Sequence, residues 1–443
     1  MAEIHPFRGV HYNLSLLKDP SAVICPPYDI ITPQMEQELL LKSEYNFIRL
    51  ESGRELPKDT TESNKYTRSA ATLEQWLRQG ILEIDKEPAI YLHDHYFTYR
   101  EREYKRREII TRVRLEEWDK MIIRPHEGIL TEPKNDRLNL LWALQANTSP
   151  ILTLFEDLGQ QVSSLLAVHE ANQPLINQRR HNGEGHDVWS ITEPEVIQQI
   201  GSSLAHQPLY IADGHHRYES ALTHQHERLA CSPSASADEA FNFVMMTLVD
   251  FSDPGLLILP PHRLVRGVSK STLKELMAKL KTFFEVEELP LSMPDVWQKV
   301  DDILTGPQPE ETNQVRMVLF GLSTESMFVL RLCNPTPTSN TSQMMPYFHS
   351  ELYKSLDVSI VEHIILEKLL GLHSEGEVSL GYGYERQDTI DRVLNGEYQL
   401  ALLLSPVKTR VIKAIADAGD RLPRKSTYFY PKPPAGLIFN RLV

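Results

Sequence analysis

An apolar run over 208–212 ends in Asp213-Gly214-His215-His216-Arg217-Tyr218-Glu219. A strand that stops at Asp213 and turns at once into a helix brings backbone N–H groups and the positive end of a helix dipole to one point, and that point suits an anion. Gly214 can take positive φ or let a ligand approach the backbone. His215, His216 and Arg217 supply cationic or hydrogen-bonding groups in the first turn. Asp213 could orient a histidine, hold Mg²⁺ or accept a proton. The plain alternative is a capped helix whose first turn happens to be basic.

Other segments carry weaker signals. Arg137 beside Asp136 could reach a phosphate or form a solvated first-turn ion pair. Lys425-Ser426-Thr427 resembles a phosphate-binding run without the glycine-rich loop of a Walker motif, and is expected to close over the site or pack the last strand. Pro26-Pro27-Tyr28-Asp29 is a rigid turn whose aspartate either faces substrate or only shapes the turn. His224 and His226 could join His215 or His216 at zinc, but the i,i+4 spacing of a helical zinc site is absent and no thiol lies close. His181 and His186 flank Gly183-Glu184-Gly185 and read as turn residues. The basic run 99–108 interleaves acids with bases, as a solvated hairpin face would.

These residues need elements to position them. Thr32 can cap a helix with Pro33 at its first position, and an amphipathic stretch over 62–79 ends at Gly80. Strands are expected over 89–97 and 108–115, then helical spacing over 135–148 and a buried strand over 150–155. A strand over 186–191, a helix over 193–204, the strand into Asp213, a helix over 215–229 and a strand over 241–249 follow. The pattern restarts with helices over 270–282 and 294–304 and strands over 315–321 and 326–332, and the polar loop 334–343 is the best candidate for disorder. A mixed α/β (α+β) chain in three units is expected: 1–107, 108–265 and 266–443.

With 443 residues, 41% hydrophobic and 24% charged, the chain is globular and too long for one ordinary core. A net charge of -14 disfavours a nucleic acid partner. Cys25, Cys231 and Cys333 suggest reduced structural thiols rather than a disulfide framework. The N-terminus shows no apolar signal region and no stretch is long enough to cross a membrane, so a cytoplasmic protein is expected.

The segment 211–221 resembles the core motif of the ParB/sulfiredoxin-like superfamily, in the DGHHR form found in its free-serine kinases. More broadly, Pro26-Pro27-Tyr28-Asp29-Ile30, Arg124-Pro125-His126-Glu127, the DGHHR core and 425–431 resemble the DUF1015 family almost end to end. The resemblance implies a ParB/sulfiredoxin-like core within a larger multi-unit chain. It also implies a kinase-like phosphotransferase acting on a small hydroxy amino acid, most plausibly serine or phosphoserine, with ADP or ATP, or else CTP, and Mg²⁺. By motif order Glu127 matches the kinase base, with a helix-entry or surface acid as the alternative. Gly214, Arg217 and Arg137 would hold phosphate, His215 and His216 would stabilise the transferring charge, and Asp213 could bind Mg²⁺. A nucleotide-hydrolysing switch that binds a partner and a nucleotide-independent phosphatase remain as rivals. Direction of transfer and homo-oligomerisation stay open.

Overall fold

A computed structural model describes residues 1–128, 131–179, 183–306, 315–333, 344–372 and 379–442. The expected loop 334–343, His181 and Asn182 lie outside them. The chain divides into two units: 1–125, 129–257 and 431–443 form the first, and 126–128 with 258–430 form the second. Its architecture is mixed α/β, as expected. Among the described residues no helix is long and apolar enough to cross a membrane.

The first unit opens with strands β1 (Ile4–His5) and β2 (Gly9–Tyr12) and helix α1 (Pro33–Lys42). Thr32 caps α1, its hydroxyl accepting the Met35 amide at 3.2 Å. A short helix α2 (Ile48–Glu51) precedes α3 (Lys65–Arg78), which begins in a reciprocal capping box between Asn64 and Thr67 and buries Leu73 and Trp76 on one face. Then come β3 (Leu82–Ile84), the long hairpin β4 (Ile90–Tyr99) and β5 (Arg102–Arg114), and β6 (Ile123–Arg124). Helix α4 (Thr131–Leu144), β7 (Ala146–Asn147), β8 (Ile151–Phe155), α5 (Gln161–Ala167), β9 (Ile176–Arg179), β10 (Gly185–Ile191) and α6 (Pro194–Ala205) lead to β11 (Leu209–Asp213), α7 (His215–Cys231) and β12 (Phe243–Asp250).

Most of these strands form one nine-stranded sheet in the order β6-β11-β8-β12-β5-β4-β10-β9, with β1 on β5. The sheet is mixed: β11 runs parallel to β6 and antiparallel to β8, and β8 runs parallel to β12. Position 107, where a boundary between units was expected, falls inside β5, so the residues on either side of it share one sheet. The hairpin also departs from expectation. Its turn is only Arg100 and Glu101, both at positive φ as a tight two-residue turn requires, and the charged run continues into β5, where Arg106 and Glu108 are fully buried.

The chain terminus returns to this unit as the strand Phe439–Arg441, which joins a second sheet with β3, β2 and β7. Phe439, Leu437 and Ile438 enter the core formed by Phe47, Leu73 and Trp76. Gly436, at φ +88°, makes that entry, and a Cβ there would stand 2.6 Å from the Phe47 ring. The second unit carries a six-stranded antiparallel sheet in the order Phe284–Pro290, Ser326–Leu332, Arg316–Phe320, Leu400–Leu403, His262–Val265, Leu380–Gly383.

Gly436→Ala combines an unfavourable positive φ with overpacking, so we predict a loss of about 2–5 kcal/mol of stability. Denaturant unfolding measures it, and a variant as stable as the wild type would show that the C-terminal segment is not held as described.

Candidate functional site

Four residues of β11 are buried, so the strand is fixed in the sheet up to Asp213, where the chain leaves it. Gly214 turns at φ +97° and α7 starts at His215. Tyr218, Ala221 and Leu222, spaced three and four apart, anchor α7 in the core. Gly214 is needed for a second reason. Arg217 folds back across it, and a Cβ on residue 214 would stand 2.9 Å from Arg217 Nε. In that pose Arg217 Nη2 donates to Asp213 Oδ2 at 2.5 Å and Nη1 donates to the Pro150 carbonyl at 2.5 Å.

The other oxygen of Asp213 accepts from Lys432 Nζ at 2.5 Å, and the same ammonium donates to Asp29. Two carboxylates and two cations therefore meet at the head of α7. Burial alone would raise the Asp213 carboxyl, but Lys432 and Arg217, with His215 behind them, hold it well below the usual carboxylate range. Lys432 is driven the other way: burial opposes its charge, and Asp213 and Asp29 keep its ammonium protonated well above the usual lysine range.

Asp29 reaches the cluster because Pro26 and Pro27 stiffen the chain ahead of the short turn Tyr28–Ile30. Tyr28 lies under the Arg137 guanidinium, 4.0 Å from ring centroid to Cζ. Burial pushes its phenol up to about 12 although Arg137 opposes the shift. Arg137 is not a solvated first-turn ion. It is buried, donates to the Glu51 carbonyl at 2.7 Å and to Asp136 Oδ2 at 2.5 Å, and faces the Glu51 carboxylate at 3.6 Å. Burial would raise Asp136, yet Arg137 and Lys65 hold it at about 2.

A small cleft of about 40 Å³ is lined by Arg217, Arg137, Glu51, Ser149, Thr148 and Ser220 among others. Two polar atoms here are buried without a hydrogen-bond partner among the described residues: Arg217 Nε, a donor, and Glu51 Oε2, an acceptor. Orphaned buried polar atoms are costly, and a donor and an acceptor on one small cleft suit a water or a small polar group that accepts from one and donates to the other.

The structure thus brings Asp213, Gly214, Arg217 and His215 together and sets Arg137 on the same cleft; His216 lies half-buried in the first turn, its carbonyl accepting the Ser220 hydroxyl at 2.8 Å. Glu127 belongs to the second unit. There its carboxylate accepts the amides of Ser426 (3.1 Å), Thr427 (3.0 Å) and Lys425 (3.3 Å) and the Thr427 hydroxyl (2.9 Å). The run 425–427, with Lys425 at φ +56°, is a nest of N–H groups occupied by the chain's own carboxylate. His224 is buried edge-on against Trp142 and is held down to about 4 by burial and Arg228; His226 is exposed and pairs with Glu117 at 2.5 Å.

Lys432 and Glu51 escaped the sequence reading. Nothing local marks either one. Lys432 follows a Tyr/Phe-rich run two residues after Tyr430, and Glu51 ends a four-residue helix.

Removing one partner of a buried ion cluster leaves charge uncompensated, so we predict that Lys432→Met costs about 3–5 kcal/mol at neutral pH. Asp213 and Asp136 have folded pKa values below those of the unfolded chain, so their stabilisation is present above about pH 4 and is lost as pH falls toward 2 and below. Urea unfolding across that window should therefore show a weaker pH dependence in Lys432→Met than in the wild type. Equal stability and equal slopes would contradict the cluster.

Among solved structures, a free serine kinase variant in complex with AMP aligns with 69% of this chain and 83% of its own at 13% identity and a TM-score of 0.33. A free serine kinase variant with ADP gives 69%, 83%, 13% and 0.34. C-terminally truncated SbnI from Staphylococcus aureus gives 73%, 84%, 11% and 0.33. Scores at this level carry no argument about the site. No curated protein matches the sequence. The family model described as a protein of unknown function, DUF1015, matches residues 4–359, and the chain belongs to that family.

Proposed function

We propose that the protein is a nucleotide-dependent phosphotransferase acting on a small hydroxy amino acid, with serine or phosphoserine as the substrate pair and ADP or ATP as the nucleotide. The observation that carries this reading is the buried, orphaned Arg217 Nε–H in a cleft at the start of α7, beside a second buried cation, Lys432. A phosphate oxygen satisfies that donor, and the α7 N-terminus favours its charge. The DGHHR resemblance to free-serine kinases supplies the substrate class.

In the transfer, the substrate hydroxyl oxygen forms a bond to the terminal phosphorus of the nucleotide, the bond from that phosphorus to the bridging oxygen breaks, and the hydroxyl proton passes to a carboxylate. Gly214 and Arg217 hold the phosphoryl oxygens, Arg137 supports the cleft wall, and His215 and His216 offset charge on the transferring group. Asp213, with Asp29, already balances Arg217 and Lys432, so a bare Mg²⁺ does not fit the cluster as it stands. Were bound phosphates to take over Arg217 and Lys432, Asp213 would be the residue placed to hold Mg²⁺, which would offset charge on those phosphates.

Two carboxylates compete for the role of base. Glu127 matches it by motif order, whereas Glu51 lies on the cleft with one oxygen unpartnered among the described residues. Purified protein incubated with ADP, ATP or CTP and a panel of hydroxy amino acids, followed by phosphorus NMR, tests the activity itself. Phosphate release without nucleotide would replace the reading with a phosphatase, and hydrolysis with no acceptor would replace it with a nucleotide switch.

We predict that Glu51→Gln or Glu127→Gln, whichever removes the base, lowers kcat per folded molecule about 10²- to 10⁴-fold, measured below the melting temperature of each variant, which for Glu51→Gln falls because buried Arg137 loses its counter-charge. If Glu127 only anchors the 425–427 nest, its amide variant loses stability instead. Full turnover in both variants would rule out a carboxylate base from either position.

A further inference from the structure

The buried half of the β4–β5 hairpin carries chemistry that the phosphate site does not use. On one face of the sheet, Arg106 of β5, His95 of β4 and His186 of β10 stand in one row across three paired strands, with Glu108 and His93 in the next row. His93, His95 and His186 are at most 1% exposed, and Arg106 and Glu108 are fully buried. Three imidazoles packed within 5.6 Å of one another, centroid to centroid, are an expensive way to fill a core.

Glu184 completes the group. It follows Gly183, whose φ of +81° and missing Cβ let the turn lie against Thr98 of β4, where a Cβ would come within 2.5 Å of the hydroxyl. One donor atom each from His95, Glu184 and His186 falls within 4.8 Å of the others, and His95 Nε2 stands 3.5 Å from a Glu184 oxygen. Tetrahedral ligands at zinc–donor distances of 2.0–2.1 Å are separated by about 3.3 Å, so a small inward adjustment suffices.

The hydrogen bonds behind the group set the tautomers. Glu108 can only accept, so His93 Nδ1, 2.8 Å away, carries the proton, and His93 Nε2 then accepts from His186 Nδ1 at 3.1 Å. A neutral His186 is left with its lone pair on Nε2. This is the carboxylate–histidine backing that orients metal-bound imidazoles and raises their basicity, here lengthened by one ring. His95 is the costly ligand: binding through Nε2 moves its ring proton to Nδ1, and the 3.4 Å contact with Arg106 Nη2 is given up. Arg106 keeps Glu108 through Nε at 2.6 Å.

We propose that His95, Glu184 and His186 form a binding site for a zinc-class divalent transition-metal ion, backed by the Glu108–His93 relay. Two imidazoles and a carboxylate are a borderline donor set, suited to zinc, cobalt or iron rather than to magnesium or calcium. Among the described residues the protein supplies three ligands, and the Glu184 side chain is 28% exposed. β10 lies five strand positions from β11, about 24 Å at the usual inter-strand spacing, so the ion would be distinct from any cation bound with phosphate at Asp213.

The test uses the full chain, stripped with chelator and desalted, then titrated with Co²⁺ as a visible probe and with Zn²⁺ in competition. One equivalent of Co²⁺ should bind with the strong ligand-field bands of a four- or five-coordinate site, and Zn²⁺ should displace it. Glu184→Gln, at a half-exposed position, should weaken binding at least ~10-fold, as should His93→Gln in the relay. His226→Ala, which removes an exposed histidine–glutamate pair, should leave binding unchanged. X-ray absorption of the wild-type zinc complex should show two imidazoles and no sulfur, a readout independent of any variant's folding. No stoichiometric uptake by the wild type, loss of binding in His226→Ala alone, unchanged affinity in a folded Glu184→Gln, or a sulfur-bearing or imidazole-free zinc shell would each overturn the proposal.

Discussion

Taking an ammonium out of water costs several kcal/mol, and a buried lysine is tolerated only where carboxylates meet it closely. Lys432 meets Asp213 across 219 residues of sequence and Asp29 across 403. The rest of the candidate site follows from that contact. Lys432 is in place because Phe439, Leu437 and Ile438 draw the C-terminal segment into the core of the first unit. Asp29 is in place because two prolines and the Tyr28–Arg137 stack fix its turn. Asp213 is in place because β11 is buried to its last residue but one. Two motifs that read separately in sequence and one lysine that carried no local signal thus serve one charge balance, two carboxylates against two cations.

Arg217 shows how the backbone and the electrostatics are coupled. Its guanidinium can lie over the turn only because residue 214 has no side chain, and in lying there it spends two nitrogens on Asp213 and Pro150 while Nε remains without an acceptor among the described residues. The same unit repeats the device of a buried charge supported from behind in Glu108, which burial would raise but which Arg106 and His93 hold well below the usual carboxylate range.

What could be read from the sequence was local. The strand, turn and helix around Gly214 were legible because an apolar run, a glycine and a helical apolar spacing lie within fifteen residues of one another, and the helix expected from 270 and the strand over 326–332 were legible for the same reason, whereas the second unit resumes at Ile258 rather than after 265. Pairings between distant segments were not, which is why Lys432 and Glu51 carried no signal. The run 99–108 misled because alternating charge in a hairpin places every second residue on each face, and composition does not say which face is covered; Arg106 and Glu108 are on the covered one. His186, read both as a turn residue beside Gly185 and as the first residue of a strand over 186–191, lies on β10 opposite His95. Glu127 was placed by motif order alone, and order does not reveal that its carboxylate is ringed by the amides of residues 425–427.

Calorimetric titration of ADP into wild-type protein and Arg217→Lys decides whether the Gly214–Arg217 turn binds the phosphate of a nucleotide, as proposed. Lysine keeps the charge but lacks the planar fork and the Nε–H. We expect measurable binding to the wild type and at least a ~10-fold loss, about 1.4 kcal/mol, in a variant of unchanged fold. Equal affinity in the two proteins, or no binding of nucleotide to the wild type, would contradict it.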